Sequence, residues 1–346
     1  MNRSVKLAAL GASALVAALW TVTAVRAADE VQTSRTTYRG TITQRTPFSI
    51  SIRQSPTNVV EVALNDVLSI RFDGEPAKLR PTRQAARQGR YDDALREFIS
   101  FDDDASISRA ELKEDIAFYK AFCQARLALG GRGDLSTAGR QMHDFVKQFP
   151  ESHHTLEAHE LLGELLAAVG KTDLALEALA RLEQAPWAEY KMRAAIAKGR
   201  LLRGQAKPAE ALAEFERAIA LAGSGEGAKS SMQTQVATLG KAACLADQNQ
   251  FDAAIALVES IVAAANPEDT LLHAQAYNTL GYCQKKAGRA KEALLAYLHV
   301  DVLYFNFPQE HAEALRNLAE LWNAAGQTER ALEAQETLKQ RYGGQG

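Results

Sequence analysis

An alanine that returns every 36 to 44 residues constrains this chain more than any other feature. The positions are Ala94, Ala138, Ala175, Ala211, Ala254, Ala293 and Ala331. Each follows a short turn, such as VGKTDLA, QNQFDAA or AGRAKEA. A glycine there can take the left-handed conformation that ends a helix, and a charged residue opens the next. Five of the alanines are preceded, twelve positions earlier, by a small residue: Gly163, Gly199, Ala242, Gly281 and Ala319. Phe98, Leu179, Phe215 and Tyr297 stand four positions after their alanines. This spacing predicts antiparallel helix pairs of about 12–14 residues per helix. The small residue and the alanine let two backbones approach, and the larger residue one turn later fills the space above them. One such pair cannot bury its apolar face alone, so the next must stack upon it.

These residues resemble the tetratricopeptide repeat (TPR) family, whose pattern is a small residue, an alanine, an aromatic and a proline-like end. The stretch 281–308 matches best, through Tyr277 and Leu280 ahead of it and Gly281, Ala293, Tyr297 and Pro308. The repeat at 119–150 carries an insertion, LGGRGDLS, and the one at 314–342 has Gln335 in place of the aromatic. The resemblance covers about residues 77–342. It implies a mainly α fold, a right-handed superhelical solenoid of about seven helix pairs, and brings no activity by itself.

Two segments precede the repeats. Residues 1–27 carry Arg3 and Lys6, then an uncharged apolar run from Leu7 to Val25, then Arg26-Ala27. This is the pattern of a signal peptide cleaved after Ala27; a retained anchor helix is the alternative, since the run is long enough to span a bilayer. Export, to the periplasm or cell envelope, is therefore expected, with no membrane insertion after cleavage. Residues 28–75 form a small β domain. Alternation in Tyr38-x-Gly40-x-Ile42, Phe48-x-Ile50-x-Ile52 and Val60-x-Val62-x-Leu64, with Val67 to Phe72 as the last strand, predicts three or four strands in a β-roll or open barrel. It vaguely resembles Sm-like or SH3-like β-meanders. The helical repeats then occupy residues 76–342.

Composition excludes several classes. The formal charge of −2 offers no basic field for nucleic acid. Cys123, Cys244 and Cys283 lie in alanine-rich helical patterns, where a thiol behaves as a small hydrophobe; a Cys244–Cys283 disulfide is the alternative. There is no nucleophile elbow, phosphate loop or HExxH motif, so no catalytic residue and no cofactor is assigned and the chain is not expected to be an enzyme. SFDDDASISRAEL (100–112) imitates a calcium loop, but Ser100 and Ala105 replace the first ligand and the turn glycine. Ser108 and Glu111 there form the pattern of a helix capping box. His153, His154 and His159 are not spaced for zinc and read as a polar helix start. Lys78, Arg80, Arg83, Arg87 and Arg90 read as a solvated basic face, answered by Asp102 to Asp104. The aromatic stretch at Tyr304, Phe305, Phe307 and Trp322 reads as core between repeats, or as a partner patch.

The expected function is protein–protein scaffolding. In the TPR resemblance the first helix of each pair lines a groove. That places Glu157, Glu160 and Glu164 on one helix and Arg193, Arg200 and Arg203 on the next. Gln275, Asn278, Tyr282 and Lys285 fall on a later one and Arg316 on the last. The three arginines and these last five residues are the candidate contacts for a protein or peptide partner; capture of a small ligand, and self-association through a β edge, are the alternatives. The competing expectation is that acidic and basic helices neutralise each other across neighbours, as exposed pairs worth ~0–1 kcal/mol each.

Overall fold

The computed structural model describes residues 28–105, 107–224 and 228–343. The signal segment expected at residues 1–27 lies outside them. Among the described residues, no helix is long and apolar enough to cross a membrane.

Five antiparallel strands open the fold: β1 (Asp29–Thr33), β2 (Thr37–Arg45), β3 (Ser49–Ser55), β4 (Asn58–Ala63) and β5 (Val67–Arg71). Their order is β4-β3-β2-β1-β5, an open sheet with β4 and β5 at its edges. The strand absent from the sequence reading is β1, DEVQT, whose single apolar residue leaves no alternation to detect. Val31, Ile42, Ile50, Ile52 and Val62 turn inward. Register shifts in β2 and β3 bend the sheet. Gly40 permits this bend, because a Cβ there would sit 2.1 Å from the Arg53 carbonyl oxygen.

Among the described residues, fourteen helices follow as seven pairs: α1 (Leu79–Arg87) with α2 (Tyr91–Ser100), α3 (Ala110–Leu129) with α4 (Leu135–Gln148), α5 (Thr155–Ala168) with α6 (Thr172–Ala180), and α7 (Ala188–Gly204) with α8 (Pro208–Leu221). The last three pairs are α9 (Ala228–Asp247) with α10 (Phe251–Ala264), α11 (Thr270–Lys286) with α12 (Ala290–Leu303), and α13 (Pro308–Ala324) with α14 (Thr328–Tyr342). All seven recurring alanines are buried, none more than 3% exposed. The glycines face the larger residues as the spacing requires: a Cβ on Gly281 would lie 2.8 Å from the Tyr297 ring, and one on Gly163 2.9 Å from Leu179.

Every turn inside a pair uses one residue in the left-handed region: Gly89, Gly131, Gly170, Ala206, Asn249, Gly288 and Gly326. The next backbone N–H then donates to a carbonyl five residues back, as in Lys171 to Leu166 (2.8 Å) and Arg289 to Gln284 (2.9 Å). This closes the helix end and reverses the chain.

The sheet has no core of its own. Its buried residues run on into Leu79, Phe98, Ile116, Phe118 and Leu161 of the first three helix pairs. Two local expectations are corrected here. The residue capping α3 is Arg109, in extended conformation and without a side-chain cap, so Ser108 and Glu111 form no capping box; Glu111 receives the Arg109 guanidinium at 3.1 Å instead. The basic run is divided: Lys78, Arg80 and Arg90 are exposed, as a solvated face requires, but the other two are engaged. Arg83 is largely buried between Glu75 and Asp115, and Arg87 reaches Glu157; Asp102 is paired with Lys120.

Candidate functional site

First helices of successive pairs touch one another along the chain, α1 to α3 and onward to α13, while second helices form no comparable run. The stack therefore curves with the first helices inside. Electrostatics agree: Glu313 on α13 feels Arg200 and Arg203 on α7, three repeats away.

Polar side chains bridge this inner face rung by rung. Arg87 on α1 holds Glu157 on α5 with both carboxylate oxygens engaged. Arg126 on α3 reaches Glu164 at 3.0 Å. Arg193 on α7 meets Glu160, its Nε at 3.0 Å. Arg203 on α7 donates to Asp247 on α9 at 2.8 Å, and the Tyr282 hydroxyl of α11 donates to the other Asp247 oxygen. The Arg203 guanidinium also lies 4.4 Å from the Tyr282 ring centre, a cation–π contact.

The candidate contacts divide accordingly. Arg193, Arg203 and Tyr282 are rungs of the ladder. Gln275 and Asn278 donate to Glu310 of α13, at 3.2 Å to its side chain and 2.9 Å to its carbonyl. Asn278 is only 3% exposed, so its amide belongs to helix packing. Lys285 binds Asn317 (3.1 Å) and Glu320 (2.5 Å) on α13. Arg316 is exposed on α13 and acts on Glu313. Arg200 is different. It is exposed and has no ion pair among the described residues.

Arg200 lines a cleft of about 690 Å³ between α5 and α7, reaching Gln233 and Val236 on α9. Glu164 and Ile196 line it too. Burial and the nearby Glu160 raise the Glu164 carboxyl above the usual range despite Arg126. Burial and Glu310 do the same for Glu313. The cleft thus offers the Arg200 guanidinium beside one carboxyl, Glu164, that gains from a new donor, over a partly apolar floor. Sequence spacing grouped Arg193, Arg200 and Arg203 on one helix; which one stays unpaired depends on the neighbouring helices.

A second polar cluster lies where the sheet meets α3 and α5. Asp115, His153 and His154 converge there. Asp115 accepts from Arg83 Nε at 2.6 Å and pairs with His154 Nε2 at 2.9 Å, while Phe118 stacks on the His154 ring at 3.8 Å. Arg45 of β2 clamps Glu114 at 2.6 and 2.9 Å, and Arg109 clamps Asp29 at 2.6 and 3.0 Å. Burial raises the Asp115 carboxyl, but Arg83 and His154 outweigh it and hold the group well below its ordinary range. Both Asp115 oxygens are engaged and two guanidinium groups stand close by, which opposes a metal cation. The cluster is a structural junction. Local spacing sets the histidines aside as a zinc site, and it does not reveal their partner Asp115, 38 residues upstream of His153.

The three cysteines are free and buried. Burial pushes their thiols up, to about 12 for Cys123 and Cys283 and about 11 for Cys244, so no reactive thiolate is present.

Comparison with known proteins agrees with the architecture. The family model described as tetratricopeptide repeat matches residues 196–270 and 238–301. No curated protein matches the chain. Among solved structures, a Rap protein complexed with Competence and Sporulation Factor is similar at 15% identity and a TM-score of 0.56, over 75% of this chain and 72% of that one. A tetratricopeptide repeat protein from Parabacteroides merdae is similar at 14% identity and a TM-score of 0.52, over 77% and 92%. PilW, a type IV pilus biogenesis factor, gives 20% identity and a TM-score of 0.42, over 66% and 94%. The helix pairs and the match over residues 196–301 give the chain a tetratricopeptide-repeat-like architecture, with an open five-stranded sheet ahead of the helices.

Proposed function

We propose that the chain is an exported scaffold that captures an extended segment of a protein partner on its inner face, centred on the cleft between α5 and α7. One observation carries the reading: Arg200 stands unpaired in that cleft, while Arg193 and Arg203 on the same helix are held by neighbours. An acidic side chain or a terminal carboxylate of the partner would complete the row by a charge-assisted hydrogen bond. Gln233 supplies a further polar contact and Ile196 an apolar one. The Rap protein of similar fold is complexed with Competence and Sporulation Factor, which supports partner capture as something such a solenoid can do.

Arg200→Glu tests this. Arg200 is exposed, so folding stability should stay within about 0.5 kcal/mol. Partners recovered with the tagged wild-type protein from its native cells should be lost or strongly reduced with the variant. Equal recovery sinks the inner-face reading. Export rests on Arg3, Lys6 and the apolar run from Leu7 to Val25. The protein isolated from cells should begin at Ala28, and an intact Met1 would refute cleavage.

A further inference from the structure

The outer side carries a second, independent surface. The second helix of a pair normally covers the first. Here α6 has 9 residues, against 14 in both α4 and α8. Its shortness has a local cause. Ala185 precedes Pro186 and is extended, because proline disfavours the helical conformation in the residue before it. The chain leaves the helix at Arg181 through a 3₁₀ turn at Leu182–Gln184. Since α6 runs antiparallel to α5, its early end falls opposite the first half of α5, where Thr155, Leu156 and His159 line the space.

The result is a groove of about 1150 Å³ between α4 and α6. Leu156, Leu162 and Leu166 of α5 and Val169 just after it line its floor, Val146 of α4 and Leu174 of α6 its sides, and Phe48 of the β2–β3 turn is at one end. Phe48 is fixed there by an edge contact to Trp187, 6.2 Å between ring centres. Leu174 is 48% exposed, more than a wall facing its own core would be. His159 lies in the groove with its Nδ1 buried and without a partner among the described residues. The rim carries a net positive charge. Arg140, Lys147, Lys171 and Arg181 are exposed there and make no ion pair among the described residues, against the acids Glu151 and Glu177.

We propose that this groove docks an amphipathic helix of a partner protein, with an apolar stripe flanked by acidic residues. The shape argues for a helix, because the groove runs between α4 and α6 along their length, from Leu135 to Lys147 on one side and from Lys171 to Arg181 on the other. An apolar stripe covers Leu166, Val169 and Leu174. Acidic flanks answer the four unpaired cations and set both orientation and association rate. This surface is separate from the cleft of Arg200, so a partner could engage the two sides together.

Two fluorescein-labelled helical peptides test the proposal on the full chain by anisotropy. Both carry the same leucine stripe; one is flanked by glutamates, its twin by lysines. The acidic peptide is expected to bind saturably and at least about tenfold tighter than the basic twin. Leu174→Glu should abolish that binding with the melting temperature and the partner recovery of the inner face unchanged. The double change Lys171→Glu with Arg181→Glu should reverse the preference between the peptides. Equal binding of the twins, no saturable binding of either, or an unaffected Leu174→Glu variant overturns the proposal. So does tight binding to phosphatidylglycerol vesicles with no peptide binding, which would make the groove a lipid site.

Discussion

Ala206 is the residue most at odds with its place. It holds a turn position that five of the seven pairs give to glycine and one to Asn249, with φ of 59°. The left-handed conformation brings Cβ close to the following carbonyl and costs an L-residue about 1–2 kcal/mol. Glycine removes that clash but has more freedom to lose on folding, about 0.4–1 kcal/mol. The difference predicts that Ala206→Gly stabilises the protein by about 0.5–1 kcal/mol. Gly288→Ala should act in the opposite direction, by about 1 kcal/mol. Urea melts of the two variants decide the matter; a destabilised Ala206→Gly would mean that the turn gains something from its methyl group. Sequence alone shows RGQAKPAEA without glycine at the turn centre, and the structure shows that the conformation persists there regardless of residue. The six-residue hydrogen bond from Lys207 to Leu202, at 3.1 Å, holds it.

Between elements, Phe215 is the clearest joint. Its ring, on α8, is only 1% exposed and lies between glycines of two first helices. A Cβ on Gly199 of α7 would come within 2.9 Å of it, and one on Gly240 of α9 within 2.2 Å. A single side chain thus locks one repeat to the next. Gly240→Ala should cost about 1–3 kcal/mol by overpacking, and more than Gly199→Ala. Equal, negligible losses in thermal melts would show that the ring simply moves aside. The comparison also marks what could be read from the chain. Gly199 was legible because it stands twelve residues before Ala211. Gly240 obeys no spacing with its own alanine; its reason is a ring from the preceding pair. The seven helix pairs were similarly legible from local periodicity, whereas β1 was not, since a short polar strand becomes one only beside β2 and β5. The same limit governs the candidate site. The sequence showed charged residues on first helices. It did not show that Asn278 is consumed by Glu310, or that Arg200 is the guanidinium left over, because pairing depends on the distance between helices.

Over the whole molecule, stability should be uneven under acid. A stacked-repeat protein adds up its neighbour contacts and can lose one end before the other. The core falls into four clusters, the largest joining the sheet to the first helix pairs. That end also holds the groups that resist protonation. Burial pushes His153 well below the ordinary histidine range, with the neighbouring His154 adding to it. Burial, helped by Arg181, lowers His159 to about 4. The unfolded chain takes up protons at these histidines near pH 6.5, while the folded one refuses them until lower pH. Stability is therefore complete above about pH 6.5 and falls as pH drops towards 4. Asp115, Asp29 and Glu157 are lowered carboxylates, and what they contribute is lost only further down, as pH falls through their folded values. Hydrogen exchange should accordingly quicken first in β2, β3, α3 and α5 when pH is lowered from 7 to 4.5, after correction for the intrinsic rate. The amides of α11 to α14 should stay protected over the same interval. In His159→Gln the difference between the two ends should shrink, because one of the two protons taken up on unfolding is gone. Uniform loosening along the chain would show that the repeats unfold as a single unit, and that the junction beneath the sheet is no weaker in acid than the rest.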